Sequence, residues 1–355
     1  MSTAAIIGCG DVSTIHTEAL ETMSDTTIVA VCDTDPQRLA VASEKFGVPG
    51  FSDHRALLKS MRPDVAHICT PHNEHASLAI DFLTGGVNVI VEKPLAHSVS
   101  QGERLIEVAE NGAAKIAVCF QNRYNTTARA MHSLLSTGEL GAVQGASATV
   151  LWHRSAEYYR DRPWRGTWSG GGGGLLMNQA IHTVDLLQWL LGDVTSVSGH
   201  AGTRFLGDTI EVEDTAEFVA HHTGGARSVF YATLAHAVNA PVAIDVITEK
   251  AALSLRGDLT VSYHDGRVEV VAERSAPSGG RAYWGVSHEI LIRDFYAKLH
   301  DPEPFWISPR EAAKSLRIVQ DIYRQSYSQQ APDGATETAR DRIDSAARPL
   351  HIVTT

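Results

Sequence analysis

A chain of 355 residues that is 43% hydrophobic and 20% charged has globular composition, fits two ordinary domains, and holds no apolar run long enough to span a bilayer. Its formal charge of −11 argues against wrapping nucleic acid or an anionic membrane, which need clustered Lys and Arg, so small molecules are the expected partners. Cys9, Cys32, Cys69 and Cys119 sit in or beside apolar runs without C-x-x-C spacing and read as buried free thiols.

The chain enters its first strand with no basic segment or cleavable apolar stretch ahead of it, so no secretory signal is expected and the cytoplasm is the expected compartment. Residues 1–120 alternate β-rich runs (Ala4–Ile7, Ile28–Cys32, Val65–Cys69, Val87–Val91, Ile116–Phe120) with helical stretches such as Thr14–Met23, which predicts an α/β unit with a doubly wound parallel sheet. Ser98 with Gln101 three residues on is a capping box opening one crossover helix. From 121 to 330 the pattern becomes a helix, a Gly-rich loop, a second helix and alternating strands from about Val194 to Val271, which predicts a second α/β domain with an open, largely antiparallel sheet. A last helix should open at Ser308-Pro309-Arg310-Glu311, run to about Ser326, and be followed by an irregular tail at 331–355 that docks through Pro349–Val353.

Gly8-Cys9-Gly10-Asp11-Val12-Ser13 joins the first strand to a helix, the context a dinucleotide fingerprint requires. Gly8 would make the tight turn, and Gly10, with Asp11 and Val12, would bring backbone to a pyrophosphate at the helix N-terminus; Ser13 departs from the usual third Gly. Asp33 ends the second strand, where a carboxylate accepts from ribose hydroxyls and repels a 2′-phosphate, so NAD is expected over NADP, with Arg38 pulling the other way.

Val91-Glu92-Lys93-Pro94 closes the fourth expected strand. Together with Thr70-Pro71-His72-Asn73 and His75, Gln121-Asn122-Arg123-Tyr124, and the run Gly170 to Gly192, it resembles the Gfo/Idh/MocA family, named for glucose-fructose oxidoreductase and inositol dehydrogenase. The resemblance implies a Rossmann domain, a substrate and oligomerisation domain, and a last helix packing back on the first domain. It implies that Lys93 is catalytic, that Pro94 follows a cis bond, and that Asn178, His182 and Asp185 occupy the family's acid-or-amide, His and Asp positions. Thr70, Pro71, His72, His75, Glu92, Lys93 and Gln121 join the loop residues as cofactor contacts. Arg123, His153, Tyr158, Trp164 and Trp168 join Lys93, Asn178 and His182 as substrate contacts, with an interdomain salt bridge the alternative for Arg123 and ordinary packing for the aromatic rings.

Asn178 and His182 are one helical turn apart and share a face, while the preceding glycines would let backbone approach a bound ring. An imidazole suits removal of a hydroxyl proton, and Lys93 suits stabilisation of the resulting alkoxide; Asn178 can orient a hydroxyl but cannot exchange a proton, so His182 and Lys93 both stand as candidate bases. The spacing of His72 and His75 suits a metal, yet no further ligand is evident and none is expected. The expected activity is NAD-dependent hydride transfer at a secondary hydroxyl of a sugar or cyclitol by a homodimer or homotetramer. The alternatives are redox-neutral modification of a glycoside or nucleotide sugar through a keto-sugar, and a non-catalytic dinucleotide sensor, against which Lys93 with His182 argues.

Overall fold

The structure, a computed structural model, describes residues 1–274 and 286–327, so the expected tail at 331–355 lies outside the described residues. The first sheet has six parallel strands, β1 (Ser2–Ile7), β2 (Thr26–Cys32), β3 (Gly50–Phe51), β4 (Val65–Ile68), β5 (Asn88–Val91) and β6 (Ile116–Val118), ordered β3-β2-β1-β4-β5-β6. Its central strands are buried on both faces, with Ala4, Ala5, Val65, Ala66, Val89, Ile90 and Val91 all fully enclosed, as crossover helices require. Those helices are α1 (Ser13–Glu21), α2 (Pro36–Phe46), α3 (His54–Ser60), α4 (His72–Thr84) and α5 (Val99–Asn111). Asp35 caps α2 and Ser98 caps α5, where the Ser98 hydroxyl accepts from Gln101 N at 3.4 Å. Strand order reverses between β1 and β4, which opens a crevice beyond their carboxyl ends. The loops bearing Gly8–Asp11, Thr70–Pro71 and Glu92–Pro94 all leave the sheet on that side.

The rest of the chain builds on α6 (Thr126–Ser136), β7 (Val143–Leu151), α7 (Ala156–Arg160), α8 (Trp168–Gly171) and α9 (Ile181–Leu191). It continues through β8 (Val194–Gly202), β9 (Thr215–His222), β10 (Arg227–Thr233), β11 (Ala243–Thr248), β12 (Ala251–Arg256), β13 (Asp258–Tyr263), β14 (Val268–Val271), α10 (Ser287–Ala297) and α11 (Pro309–Ser326). The eight strands are ordered β14-β13-β12-β11-β7-β10-β9-β8, and every pairing is antiparallel except β7 with β10. Burial alternates along β9 and β10, so one face is packed and the other leaves Val219, Val229, Tyr231 and Ile247 exposed. The final helix has the expected bounds because Ser308 accepts from Glu311 N and Pro309 occupies the first turn. It lies on α5, with Leu316 over Gly102 and an Arg310–Glu110 ion pair.

The helix expected directly after the glycines begins as a π-helical turn, Leu176–Ala180, that runs into α9. Such a widened turn is frequent at functional sites, and this one carries Asn178.

Candidate active site

Gly8 has φ +89°, and a Cβ there would meet the carbonyl carbon and oxygen of Cys69 at 2.8 Å, so only glycine fits the turn. Nothing lies within 4 Å of a Cβ built on Gly10, which leaves open space over the loop at the start of α1. The Ser13 hydroxyl donates to Gly10 O at 2.6 Å and folds back on the turn, which accounts for a buried Ser at the third position. Around the crevice, Thr70 Oγ1 and Gln121 Oε1 are buried without a partner. Open space over Gly10 and these two orphaned groups fit a bound dinucleotide, since buried polar atoms are ordinarily satisfied.

Asp33 stands where expected, but its carboxylate is fully engaged. It accepts from Cys9 N at 2.8 Å, Asp35 N at 2.8 Å, and Arg38 Nε and Nη2 at 3.2 Å each. Those four bonds fill its lone-pair sites, so a ribose diol needs the half-exposed Arg38 side chain to swing away. Asp11 faces the second domain, where Arg162 Nη2 at 3.3 Å and Arg165 Nη2 at 3.6 Å pair with it.

His72 and His75, expected as cofactor contacts, are both buried. His75 is fully buried, with Nδ1 2.7 Å from Pro94 O and Nε2 3.0 Å from Thr70 O, so it ties two loops together and presents no free edge to a cofactor. His72 is buried too, with Nδ1 2.8 Å from Gly171 O and its ring edge-on to Trp164. Burial, with the Lys93 charge next, holds its pKa well below the usual value. The Lys93–Pro94 bond is cis, as the resemblance implied.

Between Gly170 and Gln188, Asn178 and His182 alone are partly open, and both face the side of Lys93. Lys93 Nζ donates to Asn178 O at 2.6 Å and lies 3.4 Å from its Oδ1. Burial lowers the Lys93 pKa to about 8, with Glu92 opposing and Arg165 assisting. His182 Nδ1 is buried without a partner, and desolvation followed by the Lys93 charge holds its pKa well below the usual value. A neutral imidazole, an ammonium and an amide are therefore brought together. Tyr158 adds its hydroxyl, which accepts from Asn178 Nδ2 at 3.4 Å and Gln179 Nε2 at 3.3 Å, while Arg165 stacks 4.4 Å from its ring centre.

Several expected substrate contacts are spent elsewhere. Arg123 is 1% exposed, donates to both oxygens of Asp185 at 2.7 Å and to Glu311 at 3.1 Å, and lies between Trp189 and Trp306. Its salt bridge ties the site helix to α11, and Asp185 is its partner in that tie. Trp168 donates from Nε1 to Glu211 O at 3.1 Å and packs on Tyr323 and Tyr327, the ordinary packing alternative. His153 is exposed at the end of β7, with Nδ1 3.2 Å from His236 O. The glycines are buried against protein: a Cβ on Gly172 would meet His97 O, one on Gly173 the Tyr323 hydroxyl, and one on Gly174 Glu213 O, so they permit close packing of the loop.

Sequence reasoning missed Glu213. Its fully buried carboxylate accepts from Gly174 N and Leu176 N at 2.8 Å and from the Tyr323 hydroxyl at 2.7 Å, fastening the loop that carries Asn178. Sequence reasoning named Glu92 as a cofactor contact but missed His16 and His288, which meet its buried carboxylate beneath Lys93, one atom of each of the three lying within 4.8 Å of the others at spacings that hydrogen bonds explain.

Two family models match the chain, the oxidoreductase family's NAD-binding Rossmann fold over residues 3–120 and the GFO/IDH/MocA C-terminal domain over residues 128–254. A D-apiose dehydrogenase from Rhizobium rhizogenes is 27% identical over 63% of this chain, which spans 64% of that enzyme, just under two thirds of its length. A second D-apiose dehydrogenase, from Paraburkholderia graminis, is 25% identical over 90% of the chain and 86% of its own length. The WlbA dehydrogenase from Bordetella pertussis, solved with NADH and UDP-GlcNAcA, superposes with a TM-score of 0.79 and 28% identity over 92% of this chain and 96% of that one. With both domain models matched in order and the two sheets where they require them, the chain belongs to the GFO/IDH/MocA oxidoreductase family and carries its NAD-binding Rossmann domain.

Proposed function

We propose that the protein is an NAD-dependent dehydrogenase that oxidises a secondary hydroxyl of a sugar or cyclitol. The observation that carries this reading is the convergence of Lys93, Asn178 and His182, the partly open polar groups at the end of β5 and on the π-α helix, beside a dinucleotide crevice. Bound NAD would supply the hydride acceptor, held by the Gly8–Val12 loop, Asp33, Thr70 and Gln121. His182, neutral at physiological pH, takes the hydroxyl proton. Lys93 donates to the oxygen as it gathers negative charge, and Asn178 holds both the ammonium and a neighbouring hydroxyl in place. The named activities of the two D-apiose dehydrogenases and of the NADH-bound WlbA structure support this class of reaction.

The test is NADH formation, followed by its near-ultraviolet absorbance, across inositols, aldoses, anhydrosugars, glycosides and nucleotide sugars. NAD-dependent signal on one substrate class, reduced roughly hundredfold or more in Lys93→Ala and His182→Ala, is the expected result. Tight NADH binding with no net turnover on any of them would instead favour redox-neutral sugar chemistry or dinucleotide sensing.

The exposed sheet face with Val219, Val229, Tyr231 and Ile247 supports a homodimer or homotetramer built on that sheet, to be checked by light scattering. Among the described residues no helix is long and apolar enough to cross a membrane. The cytoplasm remains the proposed compartment, and fractionation of cells producing the protein tests it.

A further inference from the structure

Lys93 must stay positively charged next to an oxygen that gains negative charge, although its surroundings desolvate it. The groups that bear on it are Glu92 beside it, Cys119 after β6, His72 and His75 on α4, His182 on α9, and Arg165. Among these described residues Glu92 is the one carboxylate, since burial pushes the Cys119 thiol well above its usual range.

Glu92 is 5% exposed and is held from two other elements. Its Oε1 lies 3.1 Å from His16 Nε2 on α1 and 3.1 Å from His288 Nε2 on α10, both rings being buried. His16 Nδ1 is 2.9 Å from His67 Nδ1 on β4, and His67 Nε2 is 2.9 Å from the Tyr296 hydroxyl on α10. One placement of protons satisfies the contacts just given for His67 and His16 with a single proton on each of those two rings. Tyr296 donates to His67 Nε2, His67 Nδ1–H to His16 Nδ1, and the Nε2–H groups of His16 and His288 both donate to Glu92. Every donor in the chain thus points towards a carboxylate one peptide away from Lys93.

We propose that His16 and His288 are positioning residues of the reaction, which hold the Glu92 carboxylate ionised beneath Lys93 and through it keep the Lys93 ammonium charged at the reacting oxygen. Burial alone would push the Glu92 carboxyl up, and the hydrogen bonds from the two imidazoles bring it well below the usual carboxylate range. The catalytic consequence rests on the dehydrogenase reading above, whereas the coupling of Glu92 to Lys93 does not.

The experiment reads Lys93 directly in the full-length protein, by carbon-13 reductive methylation of its lysines and an NMR titration without substrate, with the Lys93 signal identified by its loss in Lys93→Ala. The wild-type midpoint should lie near the value of about 8. In Glu92→Gln and in His16→Leu it should fall on the order of one pH unit, and kcat should fall roughly tenfold or more, with the affinity for NADH unchanged in His16→Leu. His16→Gln, which keeps an N–H donor, should restore most of the midpoint and of kcat. If His16→Leu does not fold, Glu92→Gln carries the test.

An unmoved midpoint in Glu92→Gln would overturn the proposal, as would a His16→Gln variant no better than His16→Leu, which would indicate a packing role. Stoichiometric transition metal in the purified protein, lost in His16→Leu, would also overturn it, because a cation there would reverse the sign of the field at Lys93. Shifted midpoints in a protein that turns over no polyol would refute the dehydrogenase reading instead and leave the coupling standing.

Discussion

Arg123→Met separates two roles for a residue that sits in a family motif yet is buried in the structure. The guanidinium is the main partner of Asp185, and both side chains are 1% exposed. Removing it leaves that carboxylate with the Ser315 hydroxyl at 2.9 Å and no countercharge, and an orphaned buried charge of this kind costs about 3–5 kcal/mol. Glu311 adds little, because it is 22% exposed and keeps Lys314 at 2.7 Å. Methionine can fill much of the slot between Trp189 and Trp306, so the lost charge pair dominates over the cavity. For a protein of this size the expected fall in Tm is on the order of 10 °C. Thermal unfolding followed by circular dichroism at fixed NAD concentration measures it. Arg123→Met/Asp185→Leu should regain more than half of the loss, since the double variant buries no unpaired charge. The sugar KM of the single variant should stay within about twofold of wild type. A Tm within about 1 °C of wild type together with a KM raised tenfold or more would show that the guanidinium meets substrate, and would refute the structural assignment.

Glu213 carries a pH signature. Burial raises its pKa from 4.5 to about 7, so its contribution to stability is fully present below about 4.5 and is lost as pH rises through about 7; the Tm advantage of wild type over Glu213→Gln should therefore shrink between pH 5 and pH 8. An advantage that widens over the same interval would contradict the raised pKa. Arg38→Ala frees two of the lone-pair sites on Asp33, so NADH should bind about two- to tenfold more tightly by fluorescence titration while NADPH does not gain. Asn178→Asp places a carboxylate where an amide oxygen now lies 3.4 Å from Lys93 Nζ, so the limb of the kcat profile that reports Lys93 should move up by roughly one pH unit or more; a limb that stays put would place Lys93 outside the rate-governing ionisations.

What the sequence made legible was local. The Gly8 turn, the Ser98 and Ser308 caps and the final helix are set by residues within a few positions of one another, and Lys93 and His182 sit in contiguous motifs. The same locality left Arg123 open between a substrate contact and a salt bridge, because its motif gives residue type but not partner: Asp185 and Glu311 are 62 and 188 positions away. Trp168 was open between substrate stacking and packing for the same reason, since its acceptor is 43 positions on. Helix α10 has no side-chain cap at its N-terminus, so it lacks the signal that marks the starts of α5 and α11 in the sequence.

The groups hidden from sequence reasoning are those that set the charge and placement of the groups it found. Lys93 lies on the first domain and Asn178 on the second, and no run of sequence joins them; α10 and α11 do. Helix α10 brings His288 to the carboxylate beside Lys93, and α11 brings Glu311 to Arg123 and the Tyr323 hydroxyl to Glu213, which together hold the helix and loop that carry Asn178 and His182. A motif thus specifies which atoms react, whereas their mutual position depends on the late helices returning to the first domain. Substitutions at Glu213 or Tyr323 should accordingly act on kcat through Asn178, although both side chains are fully buried.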